Sequence, residues 1–355
     1  MSIRTGRLPA HLTVAYALLT VYACLFPFTG WRDIGTSPFV FLTLPWPRWF
    51  TWTDTIFNVL GYIPLGFVFS SALRQHQRGW RAVLIVTLAC GLFSLCIEAV
   101  QNYLPTRVAS NIDLLSNTLG AFIGAVMGVR WGRVFDEHGA LERWRQRRFH
   151  RGHIGELGMV LIALWWLTLL EPSNILFGNG DLRPIFNLPA PLAFSVKRYV
   201  VLEAAVVATQ ILAVGLVVRR TMREPAMGVL AVVFAIGLCV KMIATSAFVR
   251  PPVPLEWASP GALRGIAVGF ALLALTWRLP NWAQHTLASV SLLCATALVN
   301  LAPENPFDWD NLSLIQQGNF LNFHGLTTVA ASSWPFFALA YLTAQGALAS
   351  RRAMR

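Results

Sequence analysis

Ten apolar stretches, each near twenty residues long and almost free of charge, leave this chain few folds to adopt. They fall at about 11–28, 54–73, 81–103, 112–130, 154–171, 199–218, 226–248, 261–277, 284–301 and 327–348. Roughly 20 consecutive apolar residues carry an α-helix across a bilayer. Backbone groups in lipid must bond within their own segment, and the short alternating segments of a membrane barrel are absent here. The expectation is an all-α polytopic helical bundle with about ten transmembrane helices. Charged residues amount to 12% against about 25% in soluble domains. With 55% hydrophobic residues the chain is too apolar for disorder, and five Cys in 355 residues make no disulfide scaffold.

The net charge of +12 is a matter of placement. With Arg4 and Arg7 in the cytoplasm, alternate loops hold Arg74, Arg78 and Arg81, then the run from Arg130 to Arg151. Further along, the same side holds Arg219, Arg220 and Arg223, then Arg278, then Arg351, Arg352 and Arg355. Nineteen of the 28 basic residues therefore share one side. The opposite loops hold Arg32, Arg48, Arg107, Arg183, Lys197, Arg198 and Arg250. This asymmetry predicts both termini in the cytoplasm. It gives no reason to invoke nucleic acid.

The basic run RWGRVFDEHGALERWRQRRFHRGH reads as a topogenic loop, with an anionic-lipid patch as the alternative. It divides the chain into an N-terminal four-helix membrane unit (1–130), a basic cytoplasmic loop (131–153) and a C-terminal six-helix unit (154–355). VYAC at 21–24 resembles a weak lipoprotein cleavage box, but cleavage there would break the pairing of spans with charges, so the first span is read as retained. Cys24, Cys90, Cys96, Cys239 and Cys294 read as small buried hydrophobes. His150 and His153 have a metal-like spacing but sit in the Arg-rich loop, so no metal or other cofactor is expected.

Ionisable residues at span positions are the best pointers to function, because they are costly in lipid. The second span, DTIFNVLGYIPLGF, puts Asp54 and Asn58 four apart on one face. The third, CIEAVQNYLPTR, puts Glu98 and Gln101 three apart with Arg107 just beyond. The fourth, NIDLLSNTLGAFIG, puts Asp113 and Asn117 four apart. By the charge-derived topology all lie toward the outer face. Asp54 and Asp113 read equally well as helix caps, and Asn58 and Asn117 as interhelical hydrogen-bond partners. Glu98 lies deeper and calls for pairing with Arg107 or for protonation by burial. Gly120 and Gly124 form a GxxxG spacing suited to close helix approach.

In the C-terminal unit Glu203 follows Arg198 by about one turn, and Lys241 calls for an anionic ligand or an acidic neighbour such as Glu203. Arg264 reads as a snorkelling residue. The loop NPFDWDNLSLIQQGNFLNFHGL reads as an interfacial lid or an aromatic-belt loop, with His324 a weak acid/base candidate.

From about Asp54 to Arg130 the chain resembles the VanZ-like family of membrane proteins. The resemblance rests on Asp54 and Asn58, PLGF at 64–67, Glu98, Gln101, Arg107, Asp113, Asn117 and Gly120. The longer form is similar to members with additional C-terminal helices. The family takes its name from a protein linked to teicoplanin resistance, which does not make this chain a resistance determinant. The resemblance implies that the polar cluster is functional without naming a ligand.

The reading is a multi-pass protein of the bacterial cytoplasmic (inner) membrane that binds an envelope lipid, a lipid-linked glycan or a glycopeptide-like molecule through an outer-leaflet polar pocket. Asp54, Asn58, Glu98, Gln101, Arg107, Asp113, Asn117, Glu203 and Lys241 are its candidate ligand contacts. One alternative is a membrane-embedded transferase or hydrolase, with Glu98 or Asp113 as general acid/base and Arg107 as an anion clamp. The other is a proton-coupled small-solute transporter with Glu98, Glu203 and Lys241 along its path.

Overall fold

The computed structural model describes residues 8–26, 28–33, 35–46, 52–74, 77, 79–105, 107–135, 140–150, 152–248, 254–306 and 324–353. Among these are twelve α-helices: α1 (Leu8–Leu25), α2 (Trp52–Leu73), α3 (Trp80–Gln101), α4 (Asn111–Trp131), α5 (Ala140–Arg148), α6 (His153–Thr168), α7 (Arg183–Phe186), α8 (Val196–Thr221), α9 (Met227–Phe248), α10 (Pro260–Thr276), α11 (Asn281–Leu301) and α12 (His324–Ala353). The extended pairing described is one isolated antiparallel bridge, Phe149 to Met222.

Six helices are long and apolar enough to cross a membrane: Asp54–Leu73, Trp80–Gln101, Asn111–Val134, Val196–Thr221, Met227–Ser246 and Asn281–Leu301. Three shorter apolar helices are Pro9–Leu25, His153–Thr168 and Pro260–Thr276. The protein is therefore an all-α, multi-pass integral membrane protein. The helix α12, 30 residues with Pro335 inside it, falls in neither group. Arg4, Arg7, Arg48, Arg78, Arg151, Arg250 and Arg355 lie outside the described residues, as does the lid candidate over 307–323, and His324 is described only as backbone.

The chain forms two compact units, whose described residues lie within 1–145 for the first and within 146–316 and 324–355 for the second. In the first, α2 and α4 make the closest approach. A Cβ at Gly120 would overlap the Val59 carbonyl, one at Gly124 the Ile63 carbonyl and one at Gly128 the Phe67 carbonyl. Reciprocally, a Cβ at Gly66 would overlap the Ala121 carbonyl. Without a hydrophobic drive between helices in lipid, such backbone proximity is what holds them together. Tyr62, Leu65, Val86, Cys90, Ala121 and Ala125 fill the core between α2, α3 and α4. The Tyr16 hydroxyl donates to the Gly61 carbonyl at 2.8 Å and ties α1 to α2.

In the second unit α8 is the central helix, buried along most of its length. Gly261, Gly265 and Gly269 let α10 lie directly against Glu203, Val207 and Ala208 of α8. Trp165, Phe177 and Phe234 form an aromatic cluster with centroids 5.4 to 5.5 Å apart. Between α6 and α7 the chain is irregular yet largely buried. Its backbone is satisfied by other elements: Gly180 N donates to Ala331 O at 2.8 Å, Gln210 Nε2 to Asn179 O at 3.0 Å and Asn300 Nδ2 to Gly180 O at 2.7 Å. Non-helical backbone in a membrane protein requires such internal partners.

The cysteines correct one expectation. Cys90 is buried and Cys24 partly so, but Cys96, Cys239 and Cys294 are exposed on helix surfaces. Outward positions of a membrane helix face lipid, so apolar sequence surroundings do not imply burial against protein.

Candidate functional site

The polar residues of the first unit gather where α1 and α3 end and α2 and α4 begin. Ser110 caps α4, its hydroxyl accepting from Ile112 N at 3.2 Å and Asp113 N at 3.4 Å. That cap fixes the start of α4 and turns Asp113 toward α2, where Asn58 Nδ2 donates to Asp113 Oδ1 at 2.8 Å. Asp54, one turn earlier on α2, lies within electrostatic range of Asp113. Deeper in the unit, Asn117 Nδ2 donates to Ser94 Oγ on α3 at 3.0 Å, while Asn117 Oδ1 is buried without a hydrogen-bond partner.

Glu98 and Arg107 are near one another but are held by different groups. Glu98, 3% exposed, accepts from Ser110 N through Oε2 at 2.9 Å, which places its carboxylate at the N-terminus of α4, where the helix dipole favours an anion. Arg107 Nη2 donates to Ala23 O at 2.9 Å and to Phe26 O at 2.8 Å, at the end of α1. Gln101 Nε2 donates to Cys24 O at 2.9 Å beside it. Gln101, at the end of α3, and Arg107, in the α3–α4 connection, thus satisfy the last carbonyls of α1, which an α-helix leaves unbonded. Of the two readings of Glu98, pairing with Arg107 or protonation by burial, the first is not realised as an ion pair within 4 Å.

Arg107 keeps spare capacity. It is 8% exposed, and its Nε and Nη1 are buried without a hydrogen-bond partner. Burial pushes the guanidinium down from its ordinary value, with nearby Cys24 and Glu98 opposing the shift. An arginine remains charged under such pressure, so the two donors call for an acceptor. Nε and Nη1 lie on opposite sides of the guanidinium plane's axis, with Nη2 already used, so each can take its own acceptor oxygen through a charge-assisted bond. Residues of the first loop close over this end: Arg32 N donates to Tyr103 O at 3.0 Å and Asn111 Nδ2 to Leu44 O at 2.9 Å.

Residues 13–132 match the family model described as VanZ/LLP1. The VanZ/LLP1 region therefore begins inside α1, earlier than the Asp54 at which the resemblance starts in the sequence, and it takes in the Ala23 and Phe26 carbonyls that hold Arg107. It covers about a third of the chain and leaves a long C-terminal remainder. No curated protein and no solved structure matches the chain.

Glu203 and Lys241 belong to the second unit and do not meet as a pair. Lys241 Nζ donates to the carbonyls of Glu171 at 2.7 Å, Pro172 at 3.0 Å and Asn174 at 2.8 Å, capping the irregular turn after α6. The Glu171 carboxylate accepts from Ser173 and Thr327, each at 2.9 Å. Glu203 packs instead against Gly261 of α10, its Oε2 buried without a hydrogen-bond partner. Arg198 Nη1 turns to Ala193 O at 2.6 Å. His153 lies 3.7 Å from Glu156, and among the described residues no group of three potential ligands gathers for a metal.

Two serines of the site, Ser94 and Ser110, are absent from the residues that the sequence singles out. Ser110 carries a signal, since SNID is a serine followed three residues later by an acid, the pattern of a helix start. Ser94 lies one turn before Glu98 on the same face of α3.

Proposed function

We propose that the VanZ/LLP1 region binds an envelope lipid, a lipid-linked glycan or a glycopeptide-like molecule in a polar pocket at the outer leaflet. The observation that carries this reading is Arg107, a buried guanidinium with Nε and Nη1 unpartnered beside the Glu98 carboxylate. The spare guanidinium donors are suited to phosphate or carboxylate oxygens of the ligand, and the amides of Asn58, Gln101 and Asn117 to its hydroxyls and amides. The reading includes ten spans, both termini in the cytoplasm and residence in a bacterial cytoplasmic membrane, supported by the side-to-side bias of Lys and Arg.

The test is Glu98→Gln and Arg107→Gln in full-length protein purified with its endogenous lipids. Both variants are expected to insert and accumulate, and both to lose a co-purifying envelope lipid seen by native mass spectrometry. Turnover of that lipid by the parent and not by Glu98→Gln would replace binding with catalysis. Flux in proteoliposomes dependent on Glu98 would replace it with transport. Labelling of single cysteines placed between Arg130 and Arg151 from the cytoplasmic side alone is expected, and labelling from outside would overturn the topology.

A further inference from the structure

Two adjacent arginines end α8 with no acidic partner among the described residues. Arg219 Nη1 donates to Gln284 Oε1 on α11, and Arg220 Nε donates to Gln345 Oε1 on α12 at 3.1 Å. Both glutamines are locked in orientation. Gln284, fully buried, gives its Nε2 to the carbonyls of Thr276 at 3.3 Å and Trp277 at 2.9 Å at the end of α10, so only its oxygen can face Arg219. Gln345 Nε2 donates to Arg220 O at 2.7 Å, which turns its oxygen to the Arg220 guanidinium. The Trp277 ring backs Arg219, with the guanidinium carbon 4.9 Å from its centroid.

These bonds aim two guanidiniums without neutralising either, and Arg219 Nε is buried with no hydrogen-bond partner. Arg223 and Arg278 continue the positive charge immediately beyond the helix ends. Two like charges within electrostatic range of each other at the end of a membrane span call for an anion. The positive-inside bias and the α8 dipole account for basic residues at this end, but not for two buried amides spent on fixing their direction.

We propose that Arg219, Arg220 and Trp277 form a site for the phosphodiester headgroup of an anionic phospholipid. Inter-helical basic pockets at the membrane surface take this chemistry. The site lies in the second unit and is independent of the Arg107 pocket.

The test is native mass spectrometry of the full chain titrated with phosphatidylglycerol, phosphatidylcholine or inorganic phosphate. Selective binding of phosphatidylglycerol is expected, about thirtyfold weaker in Arg219→Gln/Arg220→Gln, because the headgroup then meets two neutral amides in place of two cations. Arg219→Lys/Arg220→Lys keeps the charge and is expected to bind with intermediate strength, which guards against a folding defect in the first variant. Equal binding of phosphatidylcholine, or full binding by the glutamine variant, would overturn the proposal. Inorganic phosphate displacing phosphatidylglycerol with the same arginine dependence would assign the site to a free anion and overturn its lipid source.

Discussion

Asn58 on α2 donates through Nδ2 to Asp113 Oδ1 on α4 across 2.8 Å, joining two helices that the glycine stripe has already brought into backbone contact. Polar bonds between membrane helices average about 0.6 kcal/mol and reach about 1.7 kcal/mol. This one belongs near the upper figure, because its acceptor is a carboxylate and the helices cannot separate to rehydrate it. A double-mutant cycle with Asn58→Ala and Asp113→Ala, read by reversible unfolding in detergent, is expected to give a coupling of about 1.5 kcal/mol. A coupling near zero would show that the bond does not hold α2 to α4.

The glycines set a larger stake. At Gly124 a methyl group would run into the Ile63 carbonyl and the Phe67 amide, neither of which can turn away. Gly124→Ala is expected to destabilise the first unit by about 3 kcal/mol, the upper end of ordinary overpacking. Gly228→Ala is the control, since nothing lies within 4 Å of the position. It should leave stability within about 0.5 kcal/mol. Similar losses at both sites would mean that the close approach of α2 and α4 carries no special weight.

Hydrophobic length is readable along the chain because it is a local property, and each of the ten apolar stretches coincides with a helix. Gly120 and Gly124 are readable for the same reason, as a spacing on one helix face. The partners of the charges are not. Arg107 bonds the carbonyls of Ala23 and Phe26, and Lys241 those of Glu171, Pro172 and Asn174. Every residue has a carbonyl, so a sequence cannot mark which ones lie at an open helix end facing a buried cation. Charge complementarity suggests Glu98 for Arg107 and Glu203 for Lys241, whereas the open carbonyls at helix ends and turns take both cations.

Lys241 is accordingly expected to act in stability. Lys241→Met removes three donors from the turn after α6 and leaves carbonyls partly stranded beside α9, at a cost of about 2–4 kcal/mol. Unfolding of the ligand-free protein measures this directly. An unchanged transition would return Lys241 to the ligand contacts suggested by its position in the sequence.

Arg107 combines a tether with two spare donors, and the two roles can be separated. The tether uses Nη2 alone, so Arg107→Lys keeps a cation able to reach Ala23 O and Phe26 O but removes the separate Nε and Nη1 donors. Arg107→Met removes both. Hydrogen exchange around residues 23–28 is expected to accelerate in the methionine variant and to stay near the parent rate in the lysine variant. Retention of the co-purified envelope lipid is expected to fall at least about tenfold in both, as two charge-assisted donors are removed. A lysine variant that retained the lipid fully would show that positive charge alone suffices. A lysine variant that exchanged as fast as the methionine one would show that the end of α1 depends on the guanidinium shape as well as its charge.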